Sequence, residues 1–155
     1  MATTGPRRTT EVPQNEETTA FRRGYGHATT KVQTEFECVK ILYTNARSLL
    51  SKIDELSILA IDNSPDVIII TETWCNNTIS NAMLNINGYS IEPNLRIDRT
   101  DTANGIGGGI IVYCKTGLTI KPSSVNDFIQ YCRFEIVDKS NKNNLEITVI
   151  YRSPN

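Results

Sequence analysis

The sequence predicts an α/β protein built on a mixed sheet. Two observations carry this. A strand-like run, a helical run and a second strand-like run follow one another between Phe36 and Thr71, which makes a βαβ unit with parallel strands. Beyond Gly109, apolar and polar residues alternate over several short runs, the pattern of antiparallel strands.

The chain opens on a stretch unlike the rest. Residues 1–35 are rich in Thr, contain Pro6 and Pro13, and hold few large apolar side chains. Such a segment buries too little surface to offset its conformational entropy, so 1–35 reads as a disordered leader and 36–155 as the ordered part. Its Arg7-Arg8 and Arg22-Arg23 pairs are nearly offset by Glu11, Glu16 and Glu17, which suits a solvated linker better than a nucleic-acid contact.

The elements then follow in turn. Phe36–Tyr43 is rich in β-formers and predicts a strand. Leu49, Ile53, Leu56 and Leu59 or Ala60 recur at helical spacing, which predicts a helix over Ser51–Asp62. Ser51 with Asp54 resembles a capping box at its start, and Asn63-Ser64-Pro65 ends it. Val67–Thr71, apolar through Ile70, predicts a strand buried on both faces. Gly109–Lys115 is a further strand and Leu118–Lys121 another. Gln130–Asp138 and Leu145–Tyr151 form a hairpin across the polar turn Lys139–Asn144.

Composition narrows the class. At 155 residues the chain is one domain's worth, and 39% hydrophobic residues allow a modest core. A net charge of −1 excludes a histone-like nucleic-acid coat, while leaving room for a DNA enzyme with a local basic surface. The longest apolar run, Ile110–Cys114, falls far short of the ~20 residues that cross a bilayer. Met1–Ala20 has no apolar centre of a secretory signal. Cys38, Cys75, Cys114 and Cys132 are widely spaced, and His27 is the one histidine, so neither a zinc site nor a disulfide scaffold is expected. An intracellular protein with free thiols follows, in which the sequon Asn76-Asn77-Thr78 has no meaning.

Three polar groups stand at the carboxyl ends of predicted strands: Asn45, Glu72 and Tyr151. Ligands of crossover sheets collect at that edge. A lone carboxylate there suits Mg²⁺, which keeps waters and takes one or two carboxylates beside a phosphate. Spacing alone favours a structural account of each: Glu72 capping a turn, Asn45 closing an Asx-turn, Tyr151 packed in the core. The cluster Gly105-Ile-Gly-Gly-Gly109 precedes a strand rather than a helix, so it is a lead-in to that strand and not a phosphate loop.

The string Asn45-Ala-Arg-Ser-Leu49, a helix, and Pro65-Asp-Val-Ile-Ile-Ile-Thr-Glu-Thr-Trp74 resembles the endonuclease/exonuclease/phosphatase superfamily. The likeness is greatest to the endonuclease domain of non-LTR, LINE-type retrotransposons. Gly88-Tyr89, Arg99-Thr-Asp101, Gly107–Tyr113 and Tyr151-Arg-Ser-Pro-Asn155 match in the same order. The resemblance implies a four-layer α/β sandwich, of which this chain would carry the N-terminal half. It implies that Glu72 binds a catalytic Mg²⁺, that Asn45 orients that carboxylate, that Tyr151 sits by the scissile phosphate and that Asn155 lies in a DNA-facing loop. The implied reaction is hydrolysis of a phosphodiester in DNA, with access to the nucleus.

The family's Gly-Asp-x-Asn segment, a further Asp and an Asp-His pair come after the Tyr motif, so the chain as written is expected to be inactive. The alternative is a non-catalytic remnant or binding module that uses an exposed sheet or the Arg-bearing tail. With one helix to cover one face, Cys132, Phe134, Ile136, Leu145, Ile147, Val149 and Tyr151 are expected to meet water and to favour self-association through that sheet.

Overall fold

In a computed structural model of the protein, residues 18–23, 25–32, 38–98, 107–127, 130–137 and 144–152 are described. The elements are strands β1 (Thr18–Arg23), β2 (Tyr25–Val32) and β3 (Val39–Asn45), helix α1 (Ile53–Asn63), then β4 (Val67–Thr71), β5 (Tyr89–Ile97), β6 (Ile110–Lys115), β7 (Thr119–Asn126), β8 (Tyr131–Val137) and β9 (Asn144–Ile150). They form a mixed six-stranded sheet ordered β1-β2-β3-β4-β6-β5 and an antiparallel three-stranded sheet ordered β7-β8-β9. The β3-α1-β4 unit is the predicted one, with β3 and β4 parallel.

Part of the expected leader is strand. β1 pairs with β2, and β2 with β3, both antiparallel. Both segments carry β-branched Thr at several positions, and a ladder satisfies backbone groups without a large apolar face. The rest of the leader lies outside the described residues, as do Arg99–Asp101, residues 139–143 of the polar turn, and Asn155.

Helix α1 starts differently from the expected capping box. The chain enters it through a 3₁₀ turn, Leu50–Lys52, and no side chain caps it. The Ser51 hydroxyl instead donates to the Ser48 carbonyl at 3.0 Å. Asp54 and Glu55 in the first turn still complement the helix dipole. At the far end Ser64 turns left-handed, φ 44°, and its N–H closes on the Ala60 carbonyl just before Pro65.

The six-stranded sheet has a core on each face. Leu56 and Ala60 of α1 pack with Leu42, Ile68, Ile70, Ile111 and Tyr113 on one side. On the other, Val67, Ile69, Ile110 and Val112 meet Cys132, Phe134, Ile136 and Val149 of the second sheet. The expected water-exposed face is therefore internal: Phe134 is fully buried, and the half-buried Leu145, Ile147 and Tyr151 pack against the same cluster. The cover comes from β8 and β9, whose inward side chains Cys132, Phe134, Ile136 and Val149 pack on it, with Leu145 and Ile147 beside them. The outer face of the three-stranded sheet is polar, with Arg133 bonded to Glu146 at 2.8 Å and Asn144 to Glu135 at 3.0 Å.

β5 had no signal in the sequence. Glu92, Pro93 and Asn94 break its alternation, and its ladder with β6 is irregular between Ile91 and Arg96. It stands at a sheet edge, where proline and a bulge are tolerated. β7 is likewise an edge strand with an irregularity at Pro122. Among the described residues no helix is long and apolar enough to cross a membrane.

Candidate functional site

The ends of β3 and β4 converge because the two strands are in parallel register. Asn45 stands opposite Thr71, which makes Glu72 the next residue beyond the pair. The two chains stay laced past the strands: Ala46 N–H donates to Thr71 O at 2.9 Å, Ser48 N–H to Glu72 O at 3.0 Å and Leu49 N–H to Thr73 O at 2.9 Å. Asn45 and Glu72 are thus held side by side by backbone.

Strain is concentrated at this end. Six non-glycine residues among those described have left-handed φ: Arg47, Ser48, Ser64, Glu72, Trp74 and Gln130. Ser64 caps α1; the other five are Glu72 itself, Arg47 and Ser48 just after Asn45, Trp74 just after Glu72, and Gln130, which bonds to Tyr151. Such conformations cost about 1–3 kcal/mol each and persist where the surroundings impose them, which is common at binding and catalytic sites.

The Glu72 carboxylate is positioned by donors. The Trp74 indole N–H donates to Oε2, and Gly108 N–H donates to the same oxygen at 3.3 Å. The glycine cluster supplies that second donor. Trp74 N–H bonds back to Gly108 O at 2.9 Å. Gly109, at φ +93°, has no room for a Cβ, which would collide with the Thr73 hydroxyl and come within 3.2 Å of Ile97 O. The lead-in to β6 is therefore a fitted strap across Glu72.

Tyr151 arrives from the other sheet. It follows β9, and its N–H donates to the Gln130 carbonyl at 2.9 Å. The Gln130 side chain accepts from Gly109 N–H at 2.9 Å. Three hydrogen bonds and the Gly108–Gly109 peptide link thus connect Tyr151, through Gln130, to Glu72. Among the described residues, two buried side-chain polar atoms have no hydrogen-bond partner: Asn45 Oδ1 and Tyr151 Oη. Buried polar atoms are nearly always paired, so an orphan invites a functional account.

No family model and no curated protein matches the chain. The site is defined by its own geometry. Asn45, Glu72 and Tyr151, named from the sequence, are linked through the ends of β4, β6, β8 and β9, while Asn155 lies outside the described residues. Sequence reasoning missed Gln130, Gly108 and the role of the Trp74 indole. Gln130 and Gly108 act partly through backbone groups, which leave no residue-type signal.

Among the described residues no three or more His, Cys, Asp or Glu gather as a metal cage. The donors present are oxygens, one carboxylate and one orphaned amide oxygen. That set fits Mg²⁺, which fills its remaining positions with water and phosphate, and does not fit zinc. Arg47 and Arg152 lie within two residues of Asn45 and Tyr151, are exposed, and form no ion pair among the described residues. The other two arginines with described side chains are paired, Arg96 with Asp98 and Arg133 with Glu146.

Proposed function

We propose that this chain carries the metal- and phosphate-holding part of a Mg²⁺-dependent DNA phosphodiesterase site, of the kind found in LINE-type retrotransposon endonucleases. The observation that carries the reading is the pair of orphaned buried atoms. Asn45 Oδ1 and Tyr151 Oη belong to residues that the motifs single out; Asn45 pairs with Thr71 beside Glu72, and Tyr151 is tied through Gln130 and the Gly108-Gly109 segment to a carboxylate fixed by two donors. A structural account leaves each orphan as an uncompensated cost of about 1–3 kcal/mol, whereas a ligand would satisfy both.

On this reading Glu72 and Asn45 would hold Mg²⁺, and the metal would supply neutralisation of charge developing on the phosphate. The Tyr151 hydroxyl would offer a hydrogen bond to a phosphate oxygen. Arg47 and Arg152 would bind flanking phosphates of the DNA strand. Water activation falls, in the family resembled, to an Asp and a His that follow the Tyr motif. The fold that goes with this reading is a four-layer sandwich, in which α1 and the two packed sheets would be three of the layers.

Paramagnetic Mn²⁺ tests the reading on the full ¹⁵N-labelled chain. Amide signals of Asn45, Thr71 to Thr73, Gly108 and Tyr151 are expected to broaden, more so with a short DNA duplex present. Glu72→Gln is expected to remove the effect. Broadening that lies elsewhere, or that survives in Glu72→Gln, refutes the assignment.

A further inference from the structure

We infer that Gln130 is a positioning residue that fixes Tyr151 relative to the Glu72 carboxylate across the two sheets. What those two groups do rests on the reading above; how they are held rests on hydrogen bonds alone.

Gln130 stands just before β8, 6% exposed and left-handed at φ 46°. Its carbonyl takes the Tyr151 N–H and its side-chain Oε1 takes the Gly109 N–H, each at 2.9 Å. The next residue back, Gly108, donates to Glu72 Oε2. One residue therefore ties the strand end bearing Tyr151 to the strap that orients Glu72. Residue choice supports this. A turn that needs only a left-handed backbone favours Gly or Asn, and Gln there is strained. The side chain gives glutamine a role that glycine could not fill, since its Oε1 accepts from Gly109 N–H. Gly109 is buried, and its N–H needs an acceptor that can reach from the second sheet. The long Gln side chain provides that reach.

The single Trp of the chain makes the test specific. The Trp74 indole N–H reports the placement of the Glu72 carboxylate, and no hydrogen bond joins it to Gln130. In Gln130→Gly the left-handed backbone is easy but the acceptor is gone. In Gln130→Met the length is kept without the acceptor, which covers the case that the glycine variant does not fold. Both are expected to shift the indole ¹H–¹⁵N signal and to weaken Mn²⁺ binding roughly tenfold, the low end for groups that orient a metal ligand. Gln130→Glu, which keeps an acceptor, is expected to retain the wild-type indole signal. An unchanged indole signal in the acceptor-free variants overturns the inference, as does a Gln130→Glu variant that behaves like them. If the wild-type chain takes no Mn²⁺ at Glu72 while the indole signal still moves in Gln130→Gly, the phosphodiesterase reading falls and the positioning role stands.

Discussion

The indole N–H of Trp74 donates to the carboxylate of Glu72, and both residues are left-handed at φ 56°. Each conformation is unfavourable alone and persists because the surroundings impose it. Glu72→Gln preserves the volume and an acceptor for the indole but removes the charge. Joined to a segment carrying the family's Asp and His, the chain is expected to nick supercoiled plasmid with Mg²⁺. Glu72→Gln should abolish nicking, while Tyr151→Phe should slow it by roughly 10²-fold or less, the effect of one hydrogen-bond donor near developing charge. Gel assay of nicked circles checks both, and full activity in Glu72→Gln would remove that residue from the site.

Tyr151→Phe should behave oppositely in stability. The buried hydroxyl has no partner among the described residues. Deleting an unpaired buried hydroxyl relieves part of a penalty of about 1–3 kcal/mol. Urea unfolding without metal is expected to show a gain of up to about 1 kcal/mol. A clear loss would mean that the hydroxyl is bonded.

Gly109→Ala should be severely destabilising, by roughly 3 kcal/mol or more, because it combines a collision with left-handed strain. Adding Thr73→Ala removes the hydroxyl that the new Cβ meets but leaves φ unchanged. The double variant is therefore expected to recover part of the loss, read as non-additivity in a denaturant cycle.

Alkaline pH should loosen the fold. Burial pushes the Cys114 thiol from 9.0 up to about 12 and Cys132 up to about 11, and raises Tyr113 as well. Unfolded thiols ionise first, so their contribution is complete below about pH 9 and is lost progressively as pH climbs toward the folded values. Thermal melts across that window should show a falling midpoint, and Cys114→Ala should flatten the fall.

Arg47 and Arg152 should govern the salt dependence of DNA binding. Neutralising one cation that binds a phosphate lowers the slope of log affinity against log salt by about one. Arg47→Gln with Arg152→Gln should thus reduce it by about two, measured by anisotropy of a labelled duplex. An unchanged slope would mean that other cations bind the phosphates, with Arg22 and Arg23 the next pair to replace.

The sequence reading reached β3, α1, β4, β6, β8 and β9 because each is a β-branched or periodic run bounded by turn residues. It passed over β5, where Pro93 and the polar residues beside it hide a strand that only an edge position permits. It left the second sheet uncovered because alternation identifies an apolar face without saying what lies opposite. Phe134 finds Val67 and Ile69, distant in sequence, and that pairing is a tertiary fact. At the site, Asn45, Glu72 and Tyr151 were legible as motif residues. Gln130 was not, since its carbonyl and one amide oxygen carry its role.

The alternation along β4 has a consequence for which changes in chain length the gene can tolerate. Ile68 and Ile70 face the helix while Val67 and Ile69 face the second sheet, and β6 divides in the same way between Ile111 and Tyr113 and Ile110, Val112 and Cys114. Insertion or deletion of one residue within either strand would hand the side chains beyond it to the opposite core, and within β4 it would also carry Glu72 off the end it shares with Asn45. Length variation is therefore confined to the connections, and the short span from Pro65 to Trp74 behaves as a ruler whose unit is a single residue.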